Sequence, residues 1–292
     1  MGKELFLFFL LLIELFPPPC KAQVNVSVPV LFDQFTHNYY LLNPANSDST
    51  YKLMAKTGNK SQSGLFQGVS ALYIDGDLKI KTNRKEVFHF LGVQFINSKE
   101  GDFINQSRVY GRYSWRTNIT SRSSLSAGLA LGFVNYSFKS SQAGVGGSAF
   151  TPDGSAGIWY LRDQFGAGFA VQQMFKGKLQ PVNQFFVLDR YYNLTIYKIL
   201  PISTFVNFNT HFYAQFEKEQ AVNLSLTGLV DLYEKLEFGI NYRYLKGIAF
   251  VGGLKKIHIA SSALSLYFSY LSRTGKISIN DNAVELFLSL EY

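Results

Sequence analysis

The sequence predicts an all-β protein: a transmembrane, antiparallel outer-membrane β-barrel of about 14 strands, within a range of about 12 to 16. The closing decapeptide, AVELFLSLEY, alternates a fully apolar face with a mostly polar one and ends on an aromatic residue. The chain contains 27 Phe and 18 Tyr, yet after its N-terminal leader it has no run of the roughly 20 apolar residues that a membrane helix needs. Barrel strands reconcile these facts, because their apolar residues alternate with polar ones. The predicted lipid-facing set of the last strand comprises Val284, Leu286, Leu288, Leu290 and Tyr292.

The first 22 residues have the features of a secretory signal peptide. A basic start precedes an apolar run over residues 5–16, and small residues at Cys20 and Ala22 suit cleavage between Ala22 and Gln23. A lipoprotein site at Cys20 is disfavoured, because the three prolines before it replace the small and branched residues that such a site requires. After cleavage the chain has no cysteine, so disulfides and thiolate metal sites are not expected.

The clearest alternation lies in residues 104–119. Arg108, Arg112 and Arg116 share one face of this segment. Each charge would cost about 2–4 kcal/mol facing lipid at mid-bilayer, so we expect this face to line the lumen. The same reasoning places Glu237 and Arg243 of segment 236–244 in the lumen.

Period-two patterning predicts the other strands. They are expected at residues 51–57, 65–80, 87–97, 123–138, 155–162, 165–175, 189–200, 205–216, 222–232, 246–256, 260–271 and 283–292. The longer irregular stretches at 140–155 and 175–188 are predicted to be extracellular loops, because barrels keep their short turns on the periplasmic side. The predicted organisation is a signal peptide at 1–22, a periplasmic or plug-like segment at 23–50 and the barrel at 51–292.

Catalytic and cofactor signatures are absent from the sequence. The four histidines are scattered without metal-ligand spacing, and no phosphate-binding loop is followed by a helix. His211 is the one candidate base for a lipid hydrolase, but no Gly-x-Ser-x-Gly elbow accompanies it, so a luminal hydrogen-bonding role is preferred. We therefore predict no enzyme, no cofactor and no metal. The net charge of +8 does not indicate nucleic-acid binding, because no long basic run occurs.

The arginine row admits two interpretations. It is either a charged wall that selects solutes in a pore, or a set of ion-pair partners that fills a closed lumen. We favour the second, with inward carboxylates such as Glu237 and Asp231 as the expected partners.

The segment after the leader resembles the opening motif, Phe-x-Gln-x-x-x-Asn-x-x-x-x-Asn-Pro-Ala, of the PorP/SprF family of type IX secretion system membrane proteins from Bacteroidetes. Residues 153–175, 236–254 and the last strand are similar to later blocks of that family. The sequence departs from the family after the motif, where Asn46 follows instead of Tyr-Ala-Gly, so it is identified as a divergent member. The matching motif residues are Phe32, Gln34, Asn38, Asn43, Pro44 and Ala45.

The resemblance implies an outer-membrane component of the type IX secretion and gliding machinery, which assists the export or surface attachment of a large adhesin or other secreted cargo. The implied partners are outer-membrane lipid, other type IX components and a co-expressed adhesin, with contacts through periplasmic turns and residues 23–50. The alternative is an outer-membrane pore for small solutes, in the manner of porins or fatty-acid transporters.

Overall fold

The computed structural model of the 292-residue chain describes residues 29, 31–63, 68–80, 82, 86–140, 145–182, 185–218, 220–244, 246–272 and 282–292. The predicted signal peptide, residues 1–22, lies outside these ranges. Within them, no helix has the length and apolar character needed to cross a membrane.

Fourteen antiparallel strands form a closed barrel, which confirms the predicted fold class and strand number. Strand β1 pairs with the last strand, β16, from Met54–Glu291 to Gln62–Ala283, and this pairing closes the sheet. The barrel strands are β1 (Leu53–Gln62), β2 (Ser70–Ile80), β3 (Val87–Glu100), β4 (Ile104–Thr120), β5 (Ser123–Phe138), β6 (Gly147–Arg162), β7 (Phe165–Gln172), β10 (Tyr191–Ser203), β11 (Val206–Glu217), β12 (Asn223–Leu232), β13 (Leu236–Arg243), β14 (Gly247–Ile259), β15 (Ser262–Ser272) and β16 (Ala283–Glu291). Two short strands, β8 (Lys178–Leu179) and β9 (Phe186–Val187), form a separate pair between β7 and β10.

One predicted loop is largely strand. Residues 140–155 were expected to be irregular, but β6 begins at Gly147 and pairs with β5 along its whole length. The alternation is present there, since Phe150 is exposed while Thr151 and Asp153 are buried. This stretch contains small residues and a proline, so its outward face is only weakly apolar. For that reason the sequence pattern does not indicate a strand there.

The barrel wall separates an apolar exterior from a polar lumen. In β16, Leu286 is 46% exposed, whereas Glu285 and Phe287 on the opposite face are each 1% exposed. Because successive side chains of a strand point to opposite faces, the predicted lipid-facing residues of this strand all lie outside. The five of them are exposed or half-buried: Val284, Leu286, Leu288, Leu290 and Tyr292.

The two ends of the barrel differ in the length of their connections. At the end where Tyr292 pairs with the start of β1, several turns contain two residues each, such as 121–122, 163–164 and 204–205. At the opposite end the connections are longer, and residues 173–190 form the longest described one. Outer-membrane barrels keep short turns on the periplasmic side. We call the end with the two-residue turns the inner end, and the end with the longer connections the outer end.

The segment before β1 lies inside the barrel. Residues 31–50, here called the plug, form two short 3₁₀ turns, Phe35–His37 and Tyr39–Leu41. Their apolar side chains pack against wall residues in two clusters, one around Trp159 and Tyr213 and one around Tyr73 and Tyr267. The lumen of the described chain is therefore filled by its own N-terminal segment.

Candidate functional site

The plug is held by a network of charges near the outer ends of β1, β13 and β16. Asp33 accepts hydrogen bonds from Lys60 Nζ at 2.6 Å and from Arg243 Nη1 at 2.5 Å. The Glu285 carboxylate accepts the backbone N–H groups of Asp33 and Gln34, at 2.7 and 3.0 Å. Asn241 Nδ2 donates to the Asp33 carbonyl at 2.8 Å. We call Asp33, Lys60, Arg243 and Glu285 the latch.

The latch is buried and electrically balanced. Asp33 and Glu285 are each 1% exposed, and Lys60 and Arg243 are 2% and 3% exposed. Burial by itself would raise the pKa of the Asp33 carboxyl, but the adjacent Lys60 and Arg243 cations outweigh it, so that pKa lies below its usual value. Two carboxylates face two cations, which compensates the cost of removing four charges from water.

The middle of the plug is held by aromatic and polar contacts. His37 Nε2 lies 2.5 Å from Glu237 Oε1, and its ring packs on Tyr267 with a centroid distance of 3.7 Å. Tyr39 packs parallel to Tyr197, with ring centroids 5.7 Å apart, and its hydroxyl bonds to His211 Nδ1. His211 therefore has a luminal hydrogen-bonding partner, in line with the structural role preferred for it.

Three luminal glycines receive the Asn43-Pro44-Ala45 part of the plug. A Cβ at Gly128 would lie 2.3 Å from the Pro44 carbonyl oxygen, and a Cβ at Gly157 would lie 2.1 Å from Asn43 Oδ1. A Cβ at Gly168 would lie 2.8 Å from Asn43 Nδ2. This close approach lets the Asn43 amide donate to the backbone carbonyls of Ile158 and Phe169, at 3.0 and 3.2 Å. We call these glycines the glycine seat.

The other motif residues also face the lumen. Phe32 packs edge-on against Tyr73, with ring centroids 4.7 Å apart, and Gln34 Nε2 donates to the Glu285 carbonyl at 3.1 Å. Asn38 is fully buried between the two 3₁₀ turns, and its backbone N–H bonds to the Phe35 carbonyl. Asn43 Oδ1 accepts the N–H of Ala45 at 2.9 Å and so closes the turn around Pro44. All six motif residues thus lie in the plug.

The arginine row lies in the lumen, but its expected partners were wrong. Arg112 contacts Asp75 at 3.1 Å and Asp77 at 3.2 Å, and Arg108 lies 3.9 Å from Asp153. Arg116 donates to the Ser47 carbonyl.

The expected partners, Glu237 and Asp231, lie on β13 and β12 and contact Lys255 instead. Strand order explains the difference, because β4 is two strands from β2 and far around the barrel from β12. Gly92 on β3 leaves room for Arg112 to cross.

The long connection between β7 and β10 packs against the luminal face of β5 near its outer end. Leu179 and Leu188 of this connection are buried against Val134 and Tyr136 of β5. A small cavity of about 30 Å³ lies between the plug and the wall. Its lining includes Pro29, Leu31, Phe35, Tyr191, Tyr213 and Gln215. This volume has room for about two water molecules, far less than a solute channel needs.

A family model decides what the plugged barrel is. The model of the type IX secretion system membrane protein PorP/SprF matches residues 26–290, almost the whole chain. The chain belongs to the PorP/SprF family. No curated protein sequence matches this PorP/SprF chain.

Solved outer-membrane barrels share the fold of this PorP/SprF protein. The Ralstonia pickettii toluene transporter TbuX aligns with a TM-score of 0.56 at 11% identity, over 86% of this chain and 92% of that chain. The CymD monoaromatic hydrocarbon channel gives 0.56 at 11%, over 89% and 92%. A Pseudomonas aeruginosa FadL homologue gives 0.53 at 10%, over 86% and 92%. The family and fold are those of a membrane barrel in secretion, not of an enzyme class.

Most of the residues that hold the plug carry no clear signal in the sequence. Lys60 lies on a strand whose outward residues are partly small or polar, so its inward charge does not stand out. Asp75 and Asp77 become partners of Arg112 through the strand order, which the sequence pattern does not contain. The glycine seat had a visible signal, because Gly128 and Gly157 occupy directly paired positions on inward faces. A glycine at a luminal position indicates that another backbone approaches closely.

Proposed function

We propose that this PorP/SprF protein is a closed docking component of the type IX secretion and gliding machinery, which assists the export or surface attachment of a large secreted adhesin. The observation that carries this proposal is the plug. Gln34, Asn43 and Ala45 form hydrogen bonds with wall residues, and Phe32 and Pro44 pack closely against the wall. A lumen filled in this way supports a docking role over a path for polypeptides or solutes. The rims and outer surface of the barrel are then the parts that partners meet.

The sequence predicted that residues 23–50 and the periplasmic turns both contact the secretion machinery. Because the plug lies inside the barrel, we revise that assignment. Residues 31–47 are enclosed by the wall, so they do not offer a periplasmic contact surface in this arrangement. We assign that contact to the short turns of the inner end. The cargo contact is assigned to the outer end, where β3–β6 continue beyond their neighbours. Residues 147–155 of β6 extend past its last pair with β7, Ala156–Val171.

The proposal is tested by deleting the gene and measuring surface display of each type IX cargo by whole-cell proteolysis and immunoblotting. We expect loss of display for one large cargo, with total synthesis unchanged, and rescue by the intact gene. Unchanged display of every cargo would overturn the proposal. A matched control, rescue by Val93→Leu, is expected to succeed, because that side chain is 67% exposed on the outward face in the middle of β3, away from both ends of the barrel.

A second candidate is transport of a small hydrophobic molecule. Two observations favour it: the cavity is lined largely by apolar plug residues, and the similar barrels include a toluene transporter and a monoaromatic hydrocarbon channel. Uptake of a labelled monoaromatic compound by liposomes containing the purified protein distinguishes the two. If the protein only docks partners, the uptake rate should equal that of liposomes without protein. If it transports the compound, uptake should be saturable and should fall when Leu31→Trp fills the cavity.

A further inference from the structure

The first and last residues of the plug contact opposite ends of the barrel. Its last residues lie at the inner end, where Lys79 Nζ donates to the Ser49 carbonyl at 2.6 Å. Lys79 is one residue from the inner end of β2. Ser47 lies slightly further in, where Arg116 of β4 donates to its carbonyl. The plug thus enters the lumen at the same end as the C-terminal Tyr292, whose carbonyl accepts the N–H groups of Lys52 and Leu53.

The first residues of the plug lie at the opposite end. The Leu31 carbonyl accepts bonds from Lys60 Nζ at 3.1 Å and from Arg243 Nη1 at 3.3 Å. Lys60 is two residues from the outer end of β1, and Arg243 is the last residue of β13. Pro29 and Leu31 also line the cavity beside Tyr191, the first residue of β10 at its outer end.

We infer that the plug is threaded through the whole lumen, with Pro29 accessible from the cell exterior while the C-terminus lies at the periplasmic end. Pro29 and Tyr292 are then on opposite sides of the membrane. The charges set this direction, because Lys60 and Arg243 near the outer end supply the two cations around Asp33. The reverse path would move the Asp33 carboxylate away from both.

With this topology, the start of the plug is exposed at the outer surface together with the barrel loops. The next step rests on the proposed function: the start of the plug is then part of the surface that a secreted cargo protein meets. It also means that the plug is attached to β1 at the inner end and can leave only by drawing its first residues back through the lumen.

Cysteine labelling of intact cells tests the inference. In a Cys20→Ser background the chain has no cysteine, so single variants report one position each. Pro29→Cys is treated with a membrane-impermeant maleimide before and after permeabilisation of the outer membrane. Val145→Cys, 87% exposed at the outer end, is the positive control, and Thr50→Cys, exposed at the inner end, is the negative one.

We expect Pro29→Cys to label in intact cells, as Val145→Cys does, and Thr50→Cys to label only after permeabilisation. Labelling of Pro29→Cys only after permeabilisation, or under neither condition, would overturn the inference. Heat-modifiable migration of each variant on gels shows whether the barrel has folded. If Pro29→Cys does not fold, a factor Xa site inserted before Pro29 gives the same information, since cleavage in intact cells requires exterior access. Labelling is independent of cargo, so the inference and the proposed function fail separately.

Discussion

The carboxylate of Glu285 accepts the backbone N–H of Asp33 at 2.7 Å, although the two residues are 252 positions apart. Glu285 lies on β16, which also pairs with β1, so the closing strand contacts both the first barrel strand and the plug. The Glu285 backbone carbonyl accepts a further bond from Gln34 Nε2 at 3.1 Å. Barrel closure and plug seating therefore depend on the same residue.

Asp33→Asn is expected to destabilise the protein by about 3–5 kcal/mol, because it leaves Glu285 as the one latch carboxylate for the two buried cations Lys60 and Arg243. Urea unfolding in detergent micelles, followed by tryptophan fluorescence, measures the change. Glu234→Gln is the matched control: its exposed pair with Lys256 should contribute less than about 1 kcal/mol. Equal effects of the two substitutions would contradict the role given to the latch.

Gly128→Val is expected to unseat the Asn43-Pro44-Ala45 part of the plug, because even a Cβ there would lie 2.3 Å from the Pro44 carbonyl oxygen. We expect a loss of about 1–3 kcal/mol from overpacking, or a displaced plug detected by faster proteolysis near Asn43. Gly111→Val adds the same side chain on the lipid-facing side of β4, where the nearest atom is 4.0 Å away. It should leave stability and proteolysis unchanged, and a similar response at both positions would contradict the glycine seat.

Arg112→Met is expected to cost about 3–5 kcal/mol, because Asp75 and Asp77 would remain buried without their cation. Combining it with Asp75→Asn should cost less than the sum of the two single changes, since the double variant removes both members of a pair. The same urea unfolding provides the double-mutant cycle. Strict additivity would show that Arg112 and Asp75 do not interact.

The latch also predicts a pH dependence. The pKa of Asp33 is below its usual value of 3.8 in the folded protein, so its stabilising effect is present above that value and is lost as pH falls through the folded pKa. The stabilisation that Asp33 provides relative to Asp33→Asn should therefore shrink as the pH falls below about 4. A stabilisation by Asp33 that already shrinks between pH 7 and pH 5 would contradict the lowered pKa of Asp33.

The sequence was sufficient for the barrel but not for the contents of its lumen. Alternation along segments such as 123–138 predicted β5 with its observed bounds, because one face meets lipid along its whole length. The opening motif pointed to the family, yet the partners of its residues lie on strands far away in sequence. Pairing of Arg112 with Asp75 instead of Glu237 depends on strand order and on the room above Gly92, which no local pattern contains.

Conductance of the purified protein in planar lipid bilayers tests the central claim most directly, since a closed, plugged barrel and an open pore differ by orders of magnitude in ion flow. We expect insertion without steady current at moderate voltage, while a porin inserted under the same conditions conducts. Stable, open single-channel steps from the wild-type protein would contradict the closed lumen and favour a solute pore.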